Sequence, residues 1–148
     1  MTPETPTPQT GTERKPRVLM VVQRFFPEMG GIETHVAEVA TRLAAQGEFD
    51  VTVLATDRSG RLARTEERDG VHIVRRRSWP AERDYYASPG VAEVIARGSW
   101  DLVHVQGVHT LVPPLAMAAA RASRTPYVLT FHSGGHSSAL RRRSRGLQ

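Results

Sequence analysis

Two glycines in this sequence have the type and position to support ligand binding. Gly30 and Gly31 follow an apolar run and precede a segment with helical periodicity. Glycine lets a ligand approach the backbone closely, and the first turn of a helix offers unpaired amide donors at the positive end of a dipole. The junction therefore predicts a site for an anionic group such as a phosphate, although a tight turn without a ligand would use the same residues.

Neither usual phosphate-binding fingerprint is present at this junction. A dinucleotide site needs G-x-G-x-x-G, and no glycine follows Gly31 until Gly47. A P-loop needs a lysine directly after its last glycine, whereas the only lysine of the chain is Lys15. The missing fingerprint also disfavours an NAD-dependent oxidoreductase that would hold the ribose through Asp57.

Histidines form the second group of candidate residues. Four of the six lie at or just beyond the ends of two predicted strands: His104, His109, His132 and His136. A neutral imidazole near physiological pH can orient or deprotonate a hydroxyl. Zinc is the competing interpretation, but there is no H-E-x-x-H motif, no cysteine and no carboxylate in these loops. Ser133 lacks the preceding glycine of a nucleophile elbow. The pattern predicts contacts with a substrate hydroxyl and no metal.

The elements that must position these residues alternate between strand and helix. Unbroken apolar runs such as Val18–Val22 are typical of strands buried on both faces of a parallel sheet. Strands are predicted at 18–22, 51–55, 71–74, 102–105 and 127–131, and helices at about 32–44, 91–95 and 113–121. The pattern predicts an α/β fold with a doubly wound, mainly parallel sheet. Ligands of such folds bind beyond the carboxyl ends of the strands, where the glycines and histidines lie.

Composition and charge narrow the function classes. The chain has 148 residues, 39% of them apolar, no cysteine and a net charge of +5. These values predict one domain over 16–148 without disulfides, and a cytoplasmic location by default. The Thr/Pro-rich segment 1–15 is predicted to be a disordered leader that is neither a signal peptide nor a membrane span. Four arginines lie in the last eight residues, and without them the net charge would be +1, which disfavours a nucleic-acid partner. The run Arg75–Arg77 is interpreted as the solvated end of a strand.

Three motifs in order resemble those of the family 4 retaining glycosyltransferases. The first is an aromatic-aromatic-proline sequence followed by Gly30-Gly31-Ile32-Glu33-Thr34-His35, a helix and the strand Asp50-Val51-Thr52-Val53-Leu54. The others are Asp101–Gly107 and Thr130–Gly135, and the resemblance covers about Arg17 to Gln148. It implies the N-terminal, acceptor-side, Rossmann-like half of a GT-B enzyme. Such an enzyme transfers a glycosyl group from a nucleotide sugar to a hydroxyl of a sugar, lipid or small molecule, with retention and without a metal or other cofactor.

The resemblance also implies roles for individual residues. Gly30 and Gly31 would approach the donor phosphates, and the reacting sugar would face His109 or His104. Many relatives have His-x-His where this chain has His104-Val105-Gln106, so the choice stays open, with His109 favoured because it lies beyond its strand. The other donor- or acceptor-binding residues would be Glu33, His35, Gln106, Gly107, His132 and Gly134.

The sequence departs from the complete family pattern in one respect. No two glutamates have the E-x7-E spacing that belongs to the C-terminal domain, so that domain is expected to be absent and the chain to be an inactive fragment. The alternative is a non-catalytic module that binds a glycan or a protein partner through the same loops. The basic segment Arg141–Arg145 could contact anionic lipid at the inner face of a membrane, or it could be the solvated face of a further helix.

Overall fold

The computed structural model describes residues 14–83 and 85–132. In chain order, its elements are β1 (Arg17–Val21), α1 (Gly31–Gln46), β2 (Asp50–Asp57), β3 (Thr65–Arg68), β4 (Val71–Arg77), α2 (Pro89–Arg97), β5 (Leu102–Gln106), α3 (Val112–Ala122) and β6 (Tyr127–Thr130). Residues 1–13 of the predicted leader lie outside the described residues, as do Gly134, His136 and Arg141–Arg145.

The strands form one six-stranded sheet in the order β3-β4-β2-β1-β5-β6. All neighbouring pairs are parallel except β3 and β4, which pair antiparallel at one edge. The α/β fold with a mainly parallel sheet predicted from the sequence is therefore confirmed. Because parallel strands bring their carboxyl ends to one edge of the sheet, the turn after β1 lies beside the loops that follow β5 and β6.

Helices cover both faces of this sheet. α1 packs on one face through Val36 and Ala40, in a core layer that includes Met20 of β1. α2 and α3 pack on the other face, where Ile95 and Leu19 belong to a second core layer. Successive residues of β1 thus enter opposite layers, which is why the strand is apolar throughout.

The ends of α1 follow the sequence signals. Gly47 caps its carboxyl end with φ of 73°, the left-handed conformation that glycine adopts readily at the end of a helix. At the other end, Gly30 is the N-cap and no side chain caps the helix. No helix within the described ranges combines the length and the apolarity that crossing a membrane requires.

The structure corrects two expectations between β2 and α2. The sequence predicts no strand between 56 and 70, but β3 lies there, and it has no apolar alternation because it is a largely exposed edge strand. Arg75 is not solvated, because its side chain is only 3% exposed. Its guanidinium donates to the Glu66 carboxylate at 2.9 Å and to the carbonyl oxygens of Phe26 at 2.8 Å and Ala63 at 3.1 Å. The unpredicted strand and the loop before it are what cover this arginine.

Candidate functional site

The turn between β1 and α1 holds two glycines with different surroundings. A Cβ atom at Gly30 would lie 2.8 Å from Oε2 of Glu33, and Glu33 is itself buried and paired with Nε of Arg24 at 3.1 Å. A Cβ atom at Gly31 would meet none of the described atoms within 4 Å. Gly30 therefore makes room for the protein's own carboxylate, whereas the space beside Gly31 is open to a ligand.

The first turn of α1 also presents backbone donors. The amide of Thr34 makes the first helical hydrogen bond, to the Gly30 carbonyl oxygen at 2.9 Å. The amides of residues 31–33 precede that bond and have no partner within the helix. The turn thus combines open space, amide donors and the positive end of the helix dipole, which together favour an anion.

A group that we call the histidine–glutamine cluster lies at the carboxyl ends of β5 and β6. Its members are His35 on α1, His104 and Gln106 on β5, and His132 after β6. Nε2 of His132 lies 2.7 Å from Oε1 of Gln106, and Nε2 of His104 lies 2.7 Å from Oγ1 of Thr130. The rings of His35 and His132 meet edge to face, with centroids 5.4 Å apart. Four candidate residues from the sequence are therefore brought together.

The surroundings of this cluster favour neutral imidazoles. Burial lowers the pKa of His104, and the neighbouring rings of His35 and His132 lower it further. Burial also lowers the pKa of His132, together with His35 and His109, against a smaller opposing effect of Glu33. Because an unperturbed histidine titrates near pH 6.5, both rings are neutral at neutral pH and can exchange hydrogen bonds with a hydroxyl. No group of three or more potential metal ligands occurs within the described ranges.

Gln106 joins the cluster to β1. Its side chain is fully buried. Its backbone carbonyl oxygen accepts a hydrogen bond from Nε2 of Gln23 at 3.0 Å. Gly107 follows with φ of 72°, and a Cβ atom there would lie 3.4 Å from Nε2 of Gln23. Glycine is favoured at this position because the chain turns in the left-handed region against a packed side chain.

A second region at the same edge is a cleft of about 320 Å³, which we call the arginine cleft. Its lining residues are Gln23, Arg24, Ile32, Glu33, Arg58, Tyr86, His109 and Thr110. Tyr86 is buried, and its hydroxyl donates to the Gln23 carbonyl oxygen at 3.4 Å. Burial raises the pKa of Tyr86, so the phenol is neutral at neutral pH. The cleft presents two guanidinium groups beside an exposed imidazole.

The structure separates the two histidines for which a catalytic role was expected. His104 belongs to the histidine–glutamine cluster and is half-buried, with its ring bonded to Thr130. His109 is exposed, lines the arginine cleft and makes no side-chain hydrogen bond to the described residues. The preference for His109 as the residue that faces the sugar stays a prediction.

Several residues of the arginine cleft were not predicted from the sequence. Gln23 and Arg24 follow β1, and Arg58 follows β2, so the rule that selected Gln106 after its strand would have selected them as well. Tyr86 gave no such signal. It lies in the irregular segment before α2, next to an isolated bridge between Trp79 and Ala87 that no periodic pattern reveals.

Asp57 does not offer a carboxylate to a ribose. It accepts hydrogen bonds from the amide of Ser59 at 2.9 Å, from its hydroxyl at 2.7 Å and from the amide of Leu62 at 3.0 Å. Burial opposes ionisation, but these hydrogen bonds outweigh it, and the pKa of Asp57 is lowered. The residue closes the loop after β2.

Comparison with known proteins adds independent evidence. A family model described as Glycosyltransferase Family 4 matches residues 29–148. The chain belongs to glycosyltransferase family 4. The family match begins directly before the glycine turn and includes all of the histidine–glutamine cluster, whereas Gln23 and Arg24 precede it.

Curated family 4 relatives are similar over a large part of this chain. The GDP-mannose:cellobiosyl-diphosphopolyprenol alpha-mannosyltransferase of Xanthomonas oryzae pv. oryzae (strain PXO99A) is 32% identical over 123 residues, which are 80% of this chain and 31% of that protein. The protein of the same name from Komagataeibacter xylinus is 28% identical over 130 residues, 85% of this chain and 32% of that protein. The chain spans about a third of the length of these relatives.

Proposed function

We propose that this chain is the acceptor-side half of a glycosyltransferase that transfers a glycosyl group from a nucleotide sugar to a hydroxyl of an acceptor. The observation that carries the proposal is the meeting, at one sheet edge, of an open glycine turn and a cluster of neutral imidazoles. The names of the relatives make GDP-mannose the first donor to test, and a lipid-linked sugar diphosphate the first acceptor.

The glycine turn would receive the donor phosphates. Negative charge grows on the departing diphosphate as the glycosidic bond breaks, and donors already aimed at that position stabilise the transition state. The amides of the first turn supply such donors, and the open space beside Gly31 leaves room for the phosphate. Glu33 lies in the same turn, but its ion pair with Arg24 offsets its repulsion of a phosphate.

The histidine–glutamine cluster and His109 would contact the sugar and the acceptor. Neutral imidazoles can accept a hydrogen bond from a hydroxyl and orient it for attack. The nucleotide would be held by a second domain of the natural protein, with retention of configuration and without a metal. Residues 1–148 alone would then release no nucleoside diphosphate at an enzyme-like rate.

The proposal is tested by a substitution that should lower activity without changing stability. The full-length natural protein that contains this sequence is assayed with a panel of nucleotide sugars, and the same protein is prepared with Gly31→Ala. The added methyl group has space in the fold, so we expect an unchanged Tm. It would obstruct the donor phosphate, so we expect kcat/KM to fall on the order of 100-fold.

Thr34→Ala is the matched control, because Thr34 lies in the same helical turn with an exposed side chain. This variant is expected to retain full activity. The proposal fails if the full-length protein releases no nucleoside diphosphate with any donor. Binding of a glycan without such release would instead identify a non-catalytic module.

A further inference from the structure

Only one end of the buried Gln106 amide has a hydrogen-bond partner among the described residues. Its Oε1 lies 2.7 Å from Nε2 of His132. Its own Nε2 is buried and forms no hydrogen bond within residues 14–83 and 85–132. A buried donor without a partner lowers stability, and an apolar side chain of similar length would avoid that cost. The fold therefore does not explain why an amide is present here, whereas the contact with His132 does.

The contact with Gln106 determines where His132 carries its proton. An amide oxygen can only accept a hydrogen bond, so Nε2 of His132 must donate. Burial, His35 and His109 lower the pKa of His132, and the ring is neutral at neutral pH. A neutral imidazole has a single ring proton, which leaves Nδ1 of His132 as a hydrogen-bond acceptor. Nδ1 makes no hydrogen bond to the part of the chain that the structure describes.

The pairing of His104 does not fix a tautomer in this way. Nε2 of His104 lies 2.7 Å from Oγ1 of Thr130, and a hydroxyl can either donate or accept. Both neutral forms of the His104 ring therefore fit the surroundings of that side chain. Of these two histidines, His132 is the one that presents a defined acceptor.

His132 also lies between the glycine turn and the arginine cleft. Glu33 of the turn and His109 of the cleft both affect the pKa of His132. The described groups that affect the pKa of His104 are His35 and His132 instead. The side chain of His132 is partly exposed, so a ligand can reach its ring. A sugar attached to a phosphate at the glycine turn would have its hydroxyls within reach of this ring.

We propose that Gln106 is a positioning residue, which holds the His132 proton on Nε2 and thereby presents Nδ1 as the hydrogen-bond acceptor for a hydroxyl of the bound sugar. The role of that hydroxyl rests on the proposed function, whereas the position of the ring proton does not depend on it. Gln106 itself does not contact the substrate, because its side chain is fully buried. This role differs from the direct ligand contact that the family resemblance implied for Gln106.

NMR of the full-length natural protein, with isotopically labelled histidine, tests the position of the proton without substrate. At about pH 7.5, where the ring is neutral, we expect the His132 proton on Nε2, exchanging slowly with water because it is hydrogen-bonded. The signal is assigned by its loss in His132→Ala. Gln106→Met, which keeps the length of the side chain and removes the hydrogen-bond acceptor, should abolish the slow exchange without lowering Tm.

Thr130→Val is the matched control, because it removes the partner of the neighbouring His104 and should leave the His132 signal unchanged. A proton on Nδ1 of His132 in the wild-type protein would overturn the inference, since Gln106 would then present its NH2 group to the ring. Slow exchange that persists in Gln106→Met would also overturn it.

Kinetic measurements on the same protein test whether Gln106 acts through His132. We expect Gln106→Met to lower kcat/KM about tenfold, which corresponds to one hydrogen bond between neutral groups. In a His132→Ala background the same substitution should cause no further loss, because the ring that Gln106 positions is missing. His132→Asn keeps a polar atom at the position of Nδ1, so it should retain more activity than His132→Gln.

A further tenfold loss in the His132→Ala background would mean that Gln106 does not act through His132, and the inference would be wrong. If the full-length protein transfers no sugar from any donor, the proposed function fails. The NMR measurement still decides, in that case, whether Gln106 fixes the proton of His132.

Discussion

The histidine–glutamine cluster and the arginine cleft lie at the same edge of one sheet but are built in opposite ways. In the cluster, side chains bond to one another, as His132 does to Gln106, and Gln106 is fully buried. In the cleft, the arginines remain partly exposed, and Arg58 is bonded to a backbone carbonyl. The cluster is thus continuous with the core, whereas the cleft is a surface supported by the core.

Gln23 connects the two regions. Its side chain donates to the Gln106 carbonyl oxygen of the cluster, at 3.0 Å. Its own carbonyl oxygen accepts hydrogen bonds from the hydroxyls of Thr56 and Tyr86, beside the cleft. Substitutions in the cluster should therefore cost stability, whereas substitutions in the cleft should change binding while the fold persists.

Gln106→Ala is expected to have the largest effect on stability. The substitution leaves a cavity at a fully buried position and removes the acceptor of His132. By analogy with truncation of other large buried side chains, the free energy of unfolding should fall by about 2–4 kcal/mol. Chemical denaturation measures this loss. Val108→Ala, two residues later at a side chain that is 45% exposed, is the control and should change stability by less than about 0.5 kcal/mol. Equal effects of the two substitutions would mean that the buried side chain of Gln106 does not stabilise the fold more than an exposed one does.

Gly30→Ala should have a smaller effect, which arises at the wall of the cleft. The methyl group would displace the buried carboxylate of Glu33 and weaken its pairing with Arg24, whose side chain is 54% exposed. Because this pair is partly solvated, we expect a loss of about 1 kcal/mol in the free energy of unfolding. In a Glu33→Ala background the obstruction is gone, so Gly30→Ala should cost almost nothing. If Gly30→Ala still lowers the free energy of unfolding in that background, the loss arises from backbone strain and not from the Glu33 carboxylate.

The sequence predicted most of the fold because the signals of its parallel strands are local. Runs such as Val18–Val22 are apolar for the physical reason that both faces of a parallel strand are buried, and the glycine at the end of α1 is required by its positive φ. β3 could not be found in this way, since an exposed edge strand has no apolar alternation. Its pairing with β4 also explains why the burial of Arg75 was not predicted.

The candidate site was predictable in part. Residues at or just beyond the ends of strands can be located from sequence, so His104, Gln106 and His132 were selected, and the structure brings them together. Which partner each side chain takes depends on tertiary packing. Gly30 illustrates this limit, because the atom that lies against it belongs to Glu33 of the same chain. His109, assigned with the other histidines, lines the arginine cleft.

The smallest effect that we predict is the response of the cluster to pH. Burial and the neighbouring rings of His35 and His132 lower the pKa of His104, and burial, His35 and His109 lower that of His132. The unfolded chain, in which histidines titrate near pH 6.5, therefore takes up protons before the folded chain does. The stability that neutral rings contribute is complete above about pH 6.5, and it is lost as the pH falls from there towards the lower folded pKa values.

NMR titration of the ring protons tests this response directly. The midpoints of His104 and His132 should lie below the ordinary histidine value, and His104→Gln should make stability less dependent on pH as the pH falls below about 6.5. Asp57 does not interfere, because its lowered pKa lies below its ordinary value of 3.8 and its effect appears only in stronger acid. Midpoints at or above the ordinary histidine value would mean that the rings are hydrated. The cluster would then be an open surface like the cleft, and the contrast between the two regions would fail.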